Sequence, residues 1–214
     1  MLRQSRRIDR KLFRVKAQPR PYHHGNLPEA LLRAAERALE EGGVGNISLR
    51  ELSRTLGVSH TSPRRHFAGK RALLDALAVR GFERLEEALG WAVNQGEQDF
   101  RSRLLRLGQA FVGFALKHPA LFNLMSEAKH RSDAPPEVLA AGERAYGHGP
   151  ATFAQAQAAG ELVAGDPARL SLVAFSALQG LITISVDGKF KDLPLEVLTD
   201  EVIDHVILGL RPRN

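Results

Sequence analysis

The sequence predicts an all-α protein, in which a long helix joins a domain of three short helices to a larger helical domain. Apolar residues recur at helical spacing from about residue 27 to residue 210, and helix-capping patterns precede several of these runs. No segment shows the strict alternation of a half-buried strand. We therefore divide the chain into a basic N-terminal arm (1–25), a three-helix domain (26–72) and a C-terminal helical domain (73–214).

Composition limits the class of protein. The 214 residues are 43% apolar and 25% charged, as in an ordinary globular protein that can bury a core. The chain has no cysteine, so disulfides and thiolate metal sites are excluded and a reducing compartment is favoured. No apolar run reaches the roughly 20 residues that a membrane span needs. We expect a soluble, cytoplasmic protein with no membrane span, metal or cofactor.

The net charge of +6 is concentrated in the arm. Residues 1–25 hold eight arginine and lysine residues against Asp9 alone, a charge of +7 that leaves −1 for the rest of the chain. A basic arm on a near-neutral body is typical of a protein that lays a segment along a polyanion. A solvated tail and a mistaken start site are the other interpretations of this segment.

Two helices with clear capping signals come first. Asn26, followed three residues later by Glu29, predicts the start of a helix that the glycine pair 42–43 ends. Ser48 begins the second helix, and Glu51 completes an S-x-x-E capping box.

A turn at Gly57 separates the second helix from a third, which we expect from about His60 to Phe67 with Ser59 as its cap. Pro63 removes one early hydrogen bond and shortens this helix. Two helices joined by a short turn with a glycine predict a helix-turn-helix, whose last helix exposes its N-terminal half.

The string LRELSRTLGVSHTSPRRHFAGKRALLDAL resembles the tetracycline-repressor (TetR) family of bacterial transcription regulators, and the resemblance covers residues 27 to about 77. Arg64 stands where the family usually has a tyrosine, so a phosphate contact carries over but the tyrosine's packing role does not. The resemblance implies a DNA reader, a linker helix, a ligand-binding domain and a dimer. The family positions that match are Leu52, Leu56, Gly57, Val58, Ser59, His66, Phe67, Lys70, Leu73 and Leu74.

Side-chain chemistry and this resemblance together predict the DNA contacts. An arginine bidentate to guanine contributes about 1 to 3 kcal/mol of discrimination in the major groove, while hydroxyls, backbone N–H groups and cations at helix starts meet phosphates. The alternative is a purely local role, in which Ser48 and Ser59 only cap helices and His66 only packs beside Phe67. The expected base contacts are His60, Thr61 and Arg65. The expected phosphate contacts are Ser48, Ser59, Ser62, Arg64, His66 and Lys70.

Helical spacing continues to the C-terminus. In the resembled family the long helix links the DNA reader to the ligand domain, whereas the alternative is a plain core helix. The polar segment 128–136 is expected to be a loop, and the Gly-Pro-rich segment 147–150 a break. Further helices are expected at about 70–95, 100–118, 119–125, 137–159, 167–186 and 194–210.

Most of the phenylalanine lies in the middle helices, beside a few polar side chains. An apolar cavity between such helices is where helical regulators bind small ligands, and the resemblance implies a pocket without identifying its effector. Plain core packing is the alternative for each residue. The candidate lining residues are Phe111, Phe114, His118, Phe122, Met125, Tyr146, Phe153, Gln157, Phe175 and Gln179.

The last two helices are too apolar to cover one small core. Segment 167–186 is apolar almost all round, which predicts a homodimer through a bundle of two helices from each subunit, with an internal helix of a monomer as the alternative. Residues 175–180, FSALQG, are a degenerate version of the Trp-x-x-x-His-Gly pattern of some family members, so no subfamily role carries over.

Enzyme signatures are missing from the sequence, which has no Ser-His-Asp order, metal-spaced cluster or phosphate loop. We therefore expect no enzyme but a homodimeric, ligand-responsive regulator, in particular a repressor that a small-molecule effector releases from a palindromic double-stranded DNA operator. The alternatives are an architectural or ligand-independent DNA-binding protein and an all-α enzyme.

Overall fold

The predicted all-α class is confirmed. The structure, a computed structural model, describes residues 26–96, 99–186 and 194–211, and within these ranges every regular element is helical. The predicted basic arm, residues 1–25, lies outside the described residues. Short 3₁₀ turns occur at Val44–Asn46 and Pro63–Arg65. The α-helices are α1 (Leu27–Gly42), α2 (Leu49–Leu56), α3 (Lys70–Val93), α4 (Phe100–Lys117), α5 (Pro119–His130), α6 (Pro136–Tyr146), α7 (His148–Ala158), α8 (Pro167–Val186) and α9 (Leu195–Leu210).

The start of α1 follows the predicted capping pattern. The Glu29 backbone N–H donates a hydrogen bond of 3.3 Å to the Asn26 side-chain oxygen. The helix ends before Gly43, whose φ of 70° lies in the left-handed region that favours glycine.

The capping box predicted for α2 does not form. Ser48 stands at the N-cap, but its side chain makes no capping hydrogen bond. Glu51, the other half of the box, instead forms an ion pair with Arg54 at 2.6 Å. This pair engages the carboxylate that the capping box would turn back to the Ser48 N–H, and so accounts for the Glu51 half of the box.

The segment 60–67, predicted as an α-helix, winds as tighter turns instead. The Ser62 N–H donates to the Ser59 carbonyl at 3.0 Å, and the His66 N–H to the Pro63 carbonyl at 3.0 Å, so these bonds join residues three apart. Proline has no N–H with which to continue an α-helical ladder, and 3₁₀ geometry satisfies its neighbours. The prediction of a shortened helix underestimated this effect.

Helix α3 is the central element, and it packs against α1, α4, α5 and α6. Its apolar face, which includes Leu77, Phe82 and Leu85, is fully buried. Gly81 allows α5 to approach closely, because a Cβ atom there would lie 2.6 Å from the Met125 sulfur. Helices α1 and α2, Phe67 and the C-terminal helices therefore share one hydrophobic core around α3.

The C-terminal helices lie close to their predicted positions. The expected break falls at Gly147, between α6 and α7. The loop predicted at 128–136 is shorter, since α5 continues to His130 and α6 begins at Pro136. A proline fits the first turn of a helix, where its missing N–H would have no intrahelical partner.

Helices α8 and α9 pack on each other and on α4, yet they leave large apolar side chains exposed. By length and composition alone, Pro167–Ser185 would also suffice to cross a membrane, with a mean hydropathy of 1.4. A single helix of this kind is weak support for a span, because an interface helix of a helical bundle has the same composition. The exposed apolar side chains here are Leu172, Val173, Ile184, Val197 and Leu208.

Candidate DNA-binding surface and effector cavity

Residues 59–66, here called the recognition segment, are held on the core by two apolar side chains. Pro63 lies within the segment and Phe67 directly after it, and both are buried. Phe67 belongs to the same hydrophobic cluster as Leu52 of α2. The tight turn is therefore anchored at its centre and its end, while its polar side chains face the solvent.

The exposed groups of the recognition segment are of the chemical types that can bind nucleic acid. Arg64 and Arg65 form no ion pair with the described residues, so both guanidinium groups can contact an anion. Among the predicted DNA contacts, the exposed side chains are Ser59, His60, Thr61, Arg64, Arg65 and His66. The half-buried side chains are Ser48, Ser62 and Lys70.

Three hydroxyls meet at the start of the recognition segment. The Ser59 hydroxyl lies 2.7 Å from that of Ser62 and 3.0 Å from that of Thr61. Each hydroxyl can both donate and accept, so the cluster keeps donors available for phosphate oxygens. Ser59 thus orients neighbouring side chains, whereas the sequence suggested a helix cap as its local role.

A cavity of about 510 Å³ lies between α4, α5, α6, α7 and α8. This volume falls within the range of about 300 to 1,000 Å³ that is common for small-molecule sites. Its wall is mainly apolar, with a few polar side chains from α5 and α8. The predicted pocket residues that line it are Phe111, Phe122, Tyr146, Phe153, Phe175 and Gln179.

Four predicted pocket residues lie elsewhere and serve the framework. The Gln157 amide donates to two carbonyls of the α7–α8 connection, at 2.8 and 2.9 Å. Met125 packs over Gly81 of α3. Phe114 lies against the His118 ring, with centroids 5.4 Å apart. Helical spacing placed these side chains in the interior but could not show which interior surface they meet.

Polar wall residues that the sequence analysis missed are Ser126, Lys129 and His130 of α5 and Ser171 of α8. The sequence predicts a loop from residue 128, whereas α5 continues to His130 and so includes both Lys129 and His130. The available signal was spacing: Ser126 and Lys129 follow Phe122 by four and seven residues, which places all three on one helix face.

Tyr146 joins the cavity to the aromatic core. Its ring packs edge-on against Phe82 of α3 at 6.0 Å and Phe175 of α8 at 5.4 Å between centroids. Burial raises the pKa of Tyr146 to about 12, so its hydroxyl stays protonated at neutral pH. Lys129 places its ammonium 4.4 Å from the centre of this ring.

Two arginines of α3 tie the helix-turn-helix domain to the rest of the protein. Arg80 binds Glu29 of α1 at 2.7 Å. Arg84 binds Glu36 of α1 and also lies 3.0 Å from Nε2 of His118, at the α4–α5 junction. Burial first, and the Arg84 charge second, lower the pKa of His118, which favours the neutral ring that can accept at Nε2. We call Glu36, Arg84 and His118 the polar relay.

Comparisons with known proteins agree with this arrangement. Residues 31–77 match the family model "Bacterial regulatory proteins, tetR family". Residues 104–210 match the model "Tetracyclin repressor-like, C-terminal domain". A solved structure of a protein of unknown function from Rhodococcus sp. RHA1 has a TM-score of 0.85 and 41% identity to this chain, and covers 91% of this chain and 100% of its own.

Curated relatives match this chain over half or less of their own length. The tetracycline repressor protein class A from transposon 1721 of Escherichia coli is 38% identical over 84 residues, which are 39% of this chain and 38% of that protein. The HTH-type transcriptional regulator YobS of Bacillus subtilis is 31% identical over 98 residues, 46% of this chain and 50% of that protein. The chain therefore spans half or less of the curated relatives that it matches.

The two family models together cover the helix-turn-helix and the helices that surround the cavity, in the order in which the structure places them. The chain belongs to the TetR family of bacterial DNA-binding transcription regulators.

Proposed function

We propose that the protein is a cytoplasmic, homodimeric repressor, which binds a palindromic operator and leaves it when a small molecule occupies the cavity. The observation that carries this proposal is the recognition segment, in which Pro63, like the adjoining Phe67, is buried while the hydroxyl cluster and two guanidinium groups are exposed. Neither guanidinium group forms an ion pair within the described part of the chain. In this proposal residues 26–72 form the DNA-binding domain and residues 73–214 the ligand-binding and dimerisation domain.

Base reading is assigned to His60, Thr61 and Arg65. Their exposure supports this role, and an arginine that binds guanine with two hydrogen bonds is the commonest specific contact in the major groove. Phosphate binding is assigned to the flanking hydroxyls and cations, of which Arg64 and Lys70 carry charge. Deleting residues 1–20 tests the arm, since a phosphate-binding arm contributes to affinity chiefly at low salt.

Effector control is supported by the position of the cavity. Tyr146 and Phe175 of its wall pack on the core around α3, and α3 holds the DNA-binding domain through Arg80 and the polar relay. A ligand that shifts the wall can therefore move α3 relative to α1. In a dimer such a shift changes the separation of two recognition segments, which must match half-sites about 34 to 36 Å apart.

Dimerisation is assigned to α8 and α9. Exposed Leu172 and Val173 of α8, with Val197 and Leu208 of α9, form apolar surface that a second subunit would cover.

Fluorescence anisotropy with labelled DNA from upstream of the protein's own gene tests the proposal at near-physiological salt. Specific regulation predicts affinity at least about a thousandfold above that for scrambled DNA. Equal affinity for both would instead identify an architectural binder and refute the proposed repressor.

A further inference from the structure

Lys129 stands at the wall of the cavity, with its side chain packed against α6 and over the Tyr146 ring. Its stem lies across α6 so closely that a Cβ atom on Gly142 would come within 3.2 Å of the lysine chain. Its ammonium lies over the Tyr146 ring and forms no ion pair with the described residues. Lys129 is thus packed beside the cavity, and no carboxylate of the described residues pairs with it.

The described lining of the cavity holds a lysine but no carboxylate. The lining residues include Lys129 and His130, and no aspartate or glutamate occurs among them in the described part of the chain. Burial lowers the pKa of Lys129, and the attraction of Glu143, on α6, acts in the opposite direction. A desolvated ammonium that lacks a close counter-charge gains most from an incoming anion.

The same arrangement disfavours a cationic ligand. Aromatic walls can bind quaternary ammonium groups through their ring faces. Here the face of Tyr146 is already covered by the ammonium of Lys129. A second cation in the cavity would meet the like charge of this lysine, and like charges repel more strongly away from water.

We propose that the effector is a small amphipathic anion of the carboxylate class, with its charged end bound by Lys129 and an apolar body between the aromatic side chains of α4, α5 and α8. This inference rests on the proposed ligand-responsive function and specifies the chemistry of its ligand. Phe111, Phe122 and Phe175 supply the apolar contacts. The Tyr146 hydroxyl, which has no partner among the described residues, and the Gln179 amide can donate to the carboxylate.

Calorimetric titration of the full-length protein with matched probes tests this inference. The probes are decanoate and naphthaleneacetate, their neutral carboxamides, and decyltrimethylammonium. Variant Lys129→Met removes the charge and keeps an apolar stem, Lys129→Arg keeps the charge, and Lys117→Met is the matched control on an exposed lysine of α4.

We expect at least one acid to bind the wild type on the order of ten times more tightly than its carboxamide. Lys129→Met should lower the affinity for that acid on the order of tenfold to hundredfold, which is the range for a hydrogen bond to a charged group. It should lower the affinity for the carboxamide much less. Lys129→Arg should restore most of the affinity for the acid. Lys117→Met should match the wild type.

Three results would overturn the inference. The first is that a carboxamide or decyltrimethylammonium binds as tightly as the acids, and the second is that Lys129→Met loses equal affinity for acid and carboxamide. The third is that neither acid binds at millimolar concentration. Anisotropy on upstream DNA, measured in parallel, separates this failure from that of the proposed function. Specific DNA binding that a neutral or cationic probe abolishes would leave the ligand-responsive repressor standing and refute only the anionic effector.

Discussion

Replacing Arg84 by methionine removes the charged centre of the polar relay and keeps an apolar stem of similar length. In the structure Arg84 joins α1 to α3 through Glu36 and reaches the α4–α5 junction through His118. The variant therefore disconnects the helix-turn-helix domain from the C-terminal helices at one point, without opening a cavity in the apolar core.

The expected loss follows from burial. The Glu36 side chain is 19% exposed and that of Arg84 32%, so the bond is partly shielded from water. Leaving the carboxylate and the histidine without their donor should lower the free energy of unfolding by about 1 to 2 kcal/mol. For a protein of this size each kcal/mol lowers Tm by about 2 to 4 °C, which gives a fall of about 2 to 8 °C.

Arg33→Met is the matched control. Arg33 pairs with Glu29 one turn away on α1 at 2.9 Å, and its side chain is 54% exposed. A pair of this kind contributes about 0.3 to 0.5 kcal/mol.

Thermal unfolding of both variants, and of a double-mutant cycle with Glu36→Gln, measures the difference. Coupling of about 1 kcal/mol between Arg84 and Glu36 is expected. The polar relay would not join the domains if the free-energy changes of Arg84→Met and Glu36→Gln were additive, or if Arg84→Met and Arg33→Met lowered the free energy of unfolding equally.

Three further predictions concern DNA binding, pH and assembly. Arg65→Ala should relax base preference, whereas Lys70→Ala should lower the affinity for all DNA sequences alike and reduce the slope of log affinity against log salt concentration by about one. If anisotropy shows the same sequence-independent loss of affinity for both variants, base reading by Arg65 is excluded. Because the pKa of His118 is lowered from 6.5, the unfolded chain binds its proton more readily, so the stability contributed by the neutral ring is present above pH 6.5 and lost as pH falls below it. Chemical denaturation at several pH values should show that His118→Gln reduces the dependence of the free energy of unfolding on pH. An unchanged pH dependence would assign it to other groups. Leu172→Glu places a charge on the exposed apolar face of α8 and should yield monomers in sedimentation velocity. An unchanged dimer would show that the interface does not include Leu172.

Elements with local signals were predictable from the sequence. The start of α1 depends on Asn26 and its hydrogen bond to the next turn, and the break between α6 and α7 falls among clustered glycine and proline residues at 147–150. The apolar character of 167–186 likewise predicted one long helix. In each case the deciding interactions join residues fewer than five positions apart.

Features that depend on distant residues were not predictable in the same way. Arg84 meets Glu36 and His118, which are 48 and 34 residues away in sequence, so no local pattern marks the relay. Met125 is buried and Gln157 is half-buried, but their contacts outside their own helices decide whether they line the cavity. Lys129 was missed because α5 continues beyond the point where its apolar residues end.

The recognition segment shows an intermediate case. Pro63 signalled a disturbed helix, but the choice of 3₁₀ turns depends on the carbonyls of Ser59 and Pro63 finding donors three residues on. The resulting short turn exposes the neighbouring side chains of Arg64 and Arg65. The shape of the segment depends on the tertiary packing of the buried Phe67 as well as on the local sequence.

Selection of bound fragments from a random DNA pool tests the central claim most directly, namely that two recognition segments in a dimer read an operator. A dimer of this kind should enrich an inverted repeat whose half-site centres lie on one face of the duplex, about one helical turn or a multiple of it apart. Arg65→Ala should lose base preference at defined positions within each half-site. A pool that stays random, or an enriched site without a repeat that Arg65→Ala selects equally well, would contradict it.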